Sequence, residues 1–295
     1  MSDGIEAHRL GRLGGSQARR LGRADADQVL RLLAEWAPEG APVDPLHLGD
    51  VGWQLRFEPE VVEGRLVVWS GVDGPVAVGL LLGDDLGCAF APTARDDRPT
   101  AEAVADSLDA HTVAQVDTAP DGALWHVLLG RGWTVGDDPT VRFHRVLNGP
   151  LALPARAELV ADATAAERVE VQVNAFDRST FTVPRWRAMT APPGGAHCAD
   201  VIVRDPNGTA AAAATGWFAG PGRCALLEPV GTHGAYQRRG HGTAAVEAAC
   251  AELAARGASG VAVGTPERNE AGVALYLRAG FAQVGHFTTL RHPGA

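Results

Sequence analysis

The chain echoes itself at half its length. The stretch LWHVLLGRGWTV at 124–135, followed by VRFHRVL at 141–147, parallels GVALYLRAGFAQV at 272–284, followed by FTTLRHP at 287–293. Placing Gly132-Trp133 on Gly280-Phe281 gives an offset of 148 residues in a chain of 295. A helix after Asp25, strands at Leu66–Trp69 and Val76–Leu82, and a helix after Thr100 then fall in the order expected of the second half. Two copies of one α/β unit are therefore expected rather than one large domain. The richest turn signal near the midpoint, Asn148-Gly149-Pro150-Leu151-Ala152-Leu153-Pro154, reads as the linker. The expected division is a frayed tail at 1–20, a first domain at 21–148, a linker at 149–155 and a second domain at 156–295.

Composition removes several classes of function. All 26 basic residues are arginine. Without lysine there is no Schiff-base chemistry and no Walker loop. Cys88, Cys198, Cys224 and Cys250 are too scattered for a zinc site or a disulfide framework, and reduced, buried packing roles are expected. No metal site is read. The formal charge of −9 argues against a nucleic-acid partner. No run approaches the roughly 18 apolar residues of a membrane span. The opening residues lack the apolar core of a signal peptide, so a soluble, cytoplasmic protein is expected, monomeric or homodimeric.

The second half can be read element by element. Thr164-x-x-Glu167 is a capping-box pattern opening a helix to about Phe176. A short helix follows Thr182, with Pro184 in its first turn. Ala199–Val203 and Thr209–Trp217 form a hairpin about the turn Asp205-Pro206-Asn207-Gly208. Within it, the run Ala210–Ala214 is expected to let a neighbouring element pack closely. Cys224–Thr232 is a strand, Gly242–Arg256 a helix closed by Gly257, and Gly260–Gly264 a strand. A helix at Glu270–Ala279 is capped by Asn269 and ended by Gly280, and Phe281–Leu290 finishes as one or two strands.

Chemistry concentrates in the loop His233-Gly234-Ala235-Tyr236-Gln237-Arg238-Arg239-Gly240-His241-Gly242-Thr243, between a strand and a helix. Glycines there let backbone N–H groups approach an anion, the helix start adds partial positive charge, and two arginines add formal charge. A pyrophosphate would be held this way. Gly240, Gly242 and Ala245 also fit Gly-x-Gly-x-x-Ala. Against a dinucleotide site, however, seven residues separate the strand from Gly240, and no acid closes the strand Val261–Gly264.

The run Gln237-Arg238-Arg239-Gly240-His241-Gly242 resembles the Gln/Arg-x-x-Gly-x-Gly/Ala signature of the GNAT superfamily of acetyl-coenzyme A-dependent N-acetyltransferases. Asn269, Tyr276 and Gly280-Phe281 follow in the series that the family shows. The resemblance covers about residues 155–295; before that, only the ending and the element order resemble it. It implies an α/β (α+β) fold of two GNAT-like domains, each a mixed, mostly antiparallel sheet flanked by helices. The first copy is degenerate, because its loop Pro92–Pro99 has no glycine and carries Asp96 and Asp97. Leu128 stands in it where the second copy has Tyr276.

The resemblance also implies roles. Val230, Gly231 and Thr232 would pair with the pantetheine arm, Arg238, Arg239, Gly240, His241, Gly242 and Thr243 would bind the pyrophosphate, and Asn269 would touch the cofactor arm. Tyr276 would protonate the departing thiolate. Glu228, two residues before Val230, is the candidate base, with His233 a weaker alternative. The glutamate that some relatives carry on the next strand is replaced here by Gly264. The expected activity is acetyl transfer from acetyl-coenzyme A to the primary amine of a small molecule, and the alternative is a coenzyme A-binding sensor or scaffold without catalysis.

Overall fold

Two β-sheets built from the two halves of the chain exchange their last strands. The computed structural model describes residues 9–13, 16–41, 45–108 and 113–294. The first half supplies β1 (Arg9–Leu13), β2 (Ser16–Leu21), β3 (Leu66–Gly71), β4 (Gly74–Leu82), β5 (Asp85–Phe90), β6 (Gln115–Asp117), β7 (Thr134–Val135) and β8 (Thr140–Val146). The second supplies β9 (Ala157–Leu159), β10 (Cys198–Arg204), β11 (Ala210–Trp217), β12 (Cys224–Thr232), β13 (Gly260–Pro266), β14 (Ala282–Phe287) and β15 (Leu290–Arg291). The sheet orders are β1-β2-β3-β4-β5-β6-β15-β7 and β14-β8-β13-β12-β11-β10-β9.

β8 thus lies between β13 and β14 of the second sheet, pairing antiparallel with both, while β15 lies between β6 and β7 of the first. Apart from β1 and α3, the two halves share one element order, as the repeat implies, but each sheet contains a strand of the other half. The stretch expected as frayed tail is corrected where it is described: Arg9–Leu13 and Ser16–Leu21 pair as strands, and β2 continues onto β3. Residues 1–8 and 14–15 of that tail lie outside the described residues.

Helices α1 (Ala26–Trp36), α2 (Leu48–Gln54), α3 (Pro59–Val62), α4 (Arg98–Asp106) and α5 (Ala123–Gly130) belong to the first half. Helices α6 (Ala165–Ala175), α7 (Val183–Thr190), α8 (His241–Ala255) and α9 (Glu270–Arg278) belong to the second. Gly257 and Gly280 end α8 and α9 with φ of +90° and +80°, the left-handed conformation a helix stop favours. The capping box at Thr164 does not form. Thr164 Oγ1 accepts from the Ala161 N–H in a preceding 3₁₀ turn, and Glu167 pairs instead with Arg204. The alanines of β11 divide by strand alternation: Ala212 and Ala214 join a core with Ala245, Val246 and Leu253 of α8, whereas Ala213 packs with Val171 of α6. All four cysteines are buried, and none forms a disulfide.

One core crosses between the halves. Leu30, Leu48, Val51 and Leu55 pack with Trp186, Met189, Trp217 and Leu226. Gly49 and Gly52 make this approach feasible, because they put the bare face of α2 on the Trp217 indole. A Cβ at Gly49 would lie 2.6 Å from Trp217 Cδ1, and one at Gly52 would collide with the ring's far edge. Arg23 ties the seam further by donating to the carbonyls of Leu55, Phe57 and Ala188. Among the described residues no helix is long and apolar enough to cross a membrane.

Candidate active site

Parallel strands β12 and β13 begin side by side and then part. They pair only from Cys224 to Leu226 against Gly260 to Ala262. On its other edge β12 stays bonded to β11, with a register shift opposite Ala214–Gly216 that places an extra residue at Glu228–Pro229. The wedge opened by the divergence is a cleft of about 550 Å³. Leu226–Val230 line one side and Ala262–Pro266 the other, with Tyr276 and Asn269 at α9.

The first half walls this cleft too. His47, Asp50 and Asp117 reach it, and so do Thr140, Arg142 and Phe143 of the exchanged β8. Thr140 accounts for Gly264: a Cβ there would stand 3.0 Å from the threonine methyl. A larger side chain at that position would press on β8.

Glu228 meets a partner that the sequence did not announce. Its carboxyl hydrogen-bonds to that of Asp50, a half-buried residue of α2. Burial first, and the Glu228 charge second, push the Asp50 carboxyl well above the usual range, so Asp50 is the member that keeps the proton. The Asp50 carboxylate oxygen also accepts from the His47 backbone N–H at 2.6 Å. His47 Nδ1 in turn accepts from the Gly49 N–H at 3.0 Å, which leaves Nε2 to carry the hydrogen donated to the Cys224 carbonyl at 3.3 Å. Burial pushes the His47 pKa down to about 3, so this linchpin stays neutral. Trp217 Nε1 donates to the Glu228 carbonyl at 2.7 Å and fixes the strand from below. Nothing in the pattern His47-Leu48-Gly49-Asp50 signals chemistry; it reads as an ordinary helix start.

Tyr276 is buried on α9 between Phe143 and Phe281, with ring centroids 5.6 and 5.9 Å away, and lines the cleft. Burial, then the Glu228 charge, raises its phenol pKa, so the hydroxyl stays protonated across the physiological range. Asn269 caps α9: Oδ1 accepts from the Gly272 N–H at 3.1 Å and Nδ2 donates to Thr265 Oγ1 at 2.9 Å. It lines the cleft as well. His233, the weaker base candidate, is turned away as a local cap whose Nδ1 accepts from the Ala235 N–H, and it does not line the cleft.

The loop after β12 delivers a helix start without a lid of its own. Gly240, at φ +86°, is the N-cap of α8 and supplies no side-chain acceptor, which leaves first-turn N–H groups open. Arg238 and Arg239 are exposed, and neither forms an ion pair among the described residues. Gly242 is glycine for a packing reason: a Cβ there would meet Thr232 Oγ1 at 2.7 Å. The equivalent helix start in the first half is already occupied, since the Asp97 carboxylate accepts from the Thr100 N–H at 2.9 Å. On α7, Trp186 is buried and donates to Asp200, and Arg187 pairs with Asp162 at the surface. Neither faces the cleft.

Residues 162–281 match the model of the acetyltransferase (GNAT) family. Among curated proteins none matches the chain. Solved structures share the fold. A GCN5-related N-acetyltransferase from Sphaerobacter thermophilus aligns with a TM-score of 0.50 at 18% identity over 95% of this chain and 96% of that one. A tandem GNAT protein from the clavulanic acid biosynthesis pathway gives 0.55 at 17%, over 94% and 98%. N-myristoyltransferase of Saccharomyces cerevisiae gives 0.52 at 10%, over 95% and 79%.

Proposed function

We propose that the second half, which matches the GNAT family model over residues 162–281, transfers an acetyl group from acetyl-coenzyme A to the primary amine of a small acceptor. The observation that carries the reading is a protonated tyrosine and a carboxylate facing one cleft, at the point where two parallel strands part. A sensor or scaffold that only binds coenzyme A needs neither group.

The residues present fit the cofactor. The uncapped start of α8, with Arg238 and Arg239 beside it, suits a pyrophosphate. Backbone groups of Val230, Gly231 and Thr232, beyond the last β13 pairing, suit the amide arm, as does Asn269 at the cleft wall. Acetyl-coenzyme A supplies the activated thioester carbonyl. The chain's contribution is alignment, worth roughly 7–11 kcal/mol where geometry is ideal, and placement of protons. Glu228 takes the proton of the attacking amine while the hydrogen bond from Asp50 orients its carboxylate. Tyr276 Oη gives its proton to the sulfur as the carbon–sulfur bond breaks. The Glu228 carboxylate at the cleft wall favours the approach of a cationic acceptor.

The test is a panel of small amines incubated with acetyl-coenzyme A, followed by release of free thiol. Amine-dependent release with formation of an acetamide supports the reading. Calorimetric binding of acetyl-coenzyme A with no release for any amine class would favour the sensor.

A further inference from the structure

At the end of α2 the chain turns through Leu55-Arg56-Phe57, and three arginines gather about the Phe57 ring. The Arg56, Arg185 and Arg65 guanidinium carbons lie 4.1, 4.9 and 5.9 Å from its centroid. They arrive from three separate places: the loop after α2, helix α7, and the residue before β3. In a chain of net charge −9 such a gathering is unexpected. Among the described residues, Glu58 is the one carboxylate within 4 Å of any of them, 3.9 Å from Arg185.

Their hydrogen bonds leave donors to spare. Arg56 donates to the Trp53 carbonyl, Arg65 to Gln54 Oε1 at 3.3 Å, and Arg185 to the Thr180 carbonyl at 2.7 Å. An arginine carries five N–H donors, so each could still present a fork to an anion. Arg23 nearby differs, because its donors are spent on three backbone carbonyls that staple the halves together. Arg56 also stacks on Trp53, 3.9 Å from that ring, which holds its guanidinium in a fixed plane. Burial, with Arg185 and Arg65 adding to it, pulls the Arg56 pKa down to about 9, while the Glu228 charge acts the other way. Arg56 and Arg65 thus have no carboxylate within 4 Å among the described residues, and Arg56 feels the charge of Glu228, the carboxylate expected to deprotonate the amine.

We infer that Arg56, Arg65 and Arg185, gathered around Phe57, form an anion subsite that selects amine acceptors bearing a carboxylate or a phosphate. The link to the amine rests on the acyl-transfer reading; the subsite itself does not. With the anionic end on the arginines, the amine end is led toward Glu228, and α2 of the first half carries both Asp50 and the approach to Arg56. The first half would then set acceptor choice as well as wall the cleft.

Two measurements on the full chain separate this inference from the reading beneath it. The first compares kcat/KM for glycine, β-alanine and 4-aminobutyrate with their amides, and for O-phosphoethanolamine with ethanolamine. The anionic member should win by at least about tenfold in one series, and that series identifies the anion. Arg185→Gln and Arg65→Gln should each shrink that preference by about tenfold. A preference near one, or one that both variants leave intact, overturns the subsite. The second measures thermal stabilisation by inorganic phosphate in a chain carrying Arg238→Gln and Arg239→Gln, which silences the helix α8 site. Stabilisation should persist there and vanish when Arg185→Gln is added. If phosphate binds in this way but no amine is acetylated, the subsite stands and the acyl-transfer reading fails. If amines are acetylated without regard to charge and phosphate does not bind, the subsite falls and the reading stands.

Discussion

Asp50 of the first half and Glu228 of the second meet carboxyl to carboxyl at the wall of the cleft, and Asp50 holds the proton between them. This contact joins two regions 178 residues apart in sequence and makes the domain seam part of the candidate active site. It also fixes a sign for the pH dependence of stability. An unfolded aspartate ionises near pH 3.9, whereas folded Asp50 keeps its proton to higher pH. Above pH ~3.9 the folded chain therefore binds a proton that the unfolded chain has lost, so this group's contribution declines as pH rises. Asp50→Asn removes that decline. Thermal melts at pH 5 and pH 8 should show the wild type losing more stability than the variant; parallel losses would place the proton elsewhere.

The approach of α2 to Trp217 depends on having no side chain at Gly49 and Gly52. Gly49→Ala forces the helix off the indole, an overpacking that costs about 1–3 kcal/mol. Because Asp50 is the next residue, thiol release should fall along with the melting temperature. A variant that melts lower and keeps the full rate would show that the seam does not position the carboxyls.

Tyr276→Phe should lower kcat by about 10² while leaving acetyl-coenzyme A affinity within a few-fold, since the ring keeps its packing against Phe143 and Phe281. Because the phenol is raised above its ordinary value of about 10, the wild-type rate should show no loss from tyrosine ionisation up to about pH 9. An unchanged kcat under conditions where chemistry limits the rate would remove Tyr276 from the mechanism.

Much of the second half was legible in the sequence because its signals are local. Glycine stops, the Asn269 cap and the Asp205 turn each act within a few residues, and the structure places each where its chemistry requires. The strand exchange was not legible: β8 and β15 follow the same local pattern whichever sheet they join, and only three-dimensional packing chooses. Asp50 was hidden for the same reason, since its meaning comes from Glu228 and burial rather than from its neighbours. Glu228 was named for its place two residues before Val230 on the motif strand, and its carboxylate partner could not be.

One coenzyme A should bind per chain. In the first half the Asp97 carboxylate already occupies the start of α4, and Leu128, fully buried, stands where Tyr276 does in the second. Calorimetry should give a stoichiometry near one, and a value near two would contradict the assignment. Arg238→Gln with Arg239→Gln should weaken that single site about tenfold or more at low salt, and by less at high salt, where the attraction is already screened.

The most direct measurement is the rate of free thiol release from acetyl-coenzyme A with a saturating amine, comparing wild type with Glu228→Gln. Glutamine keeps the side chain's size and can still accept from Asp50, but it cannot take the amine's proton. The account predicts a fall of about 10² or more at neutral pH, with acetyl-coenzyme A affinity within threefold of wild type. A wild-type rate in Glu228→Gln would contradict the account, because the carboxyl pair at the seam would then have no part in acyl transfer.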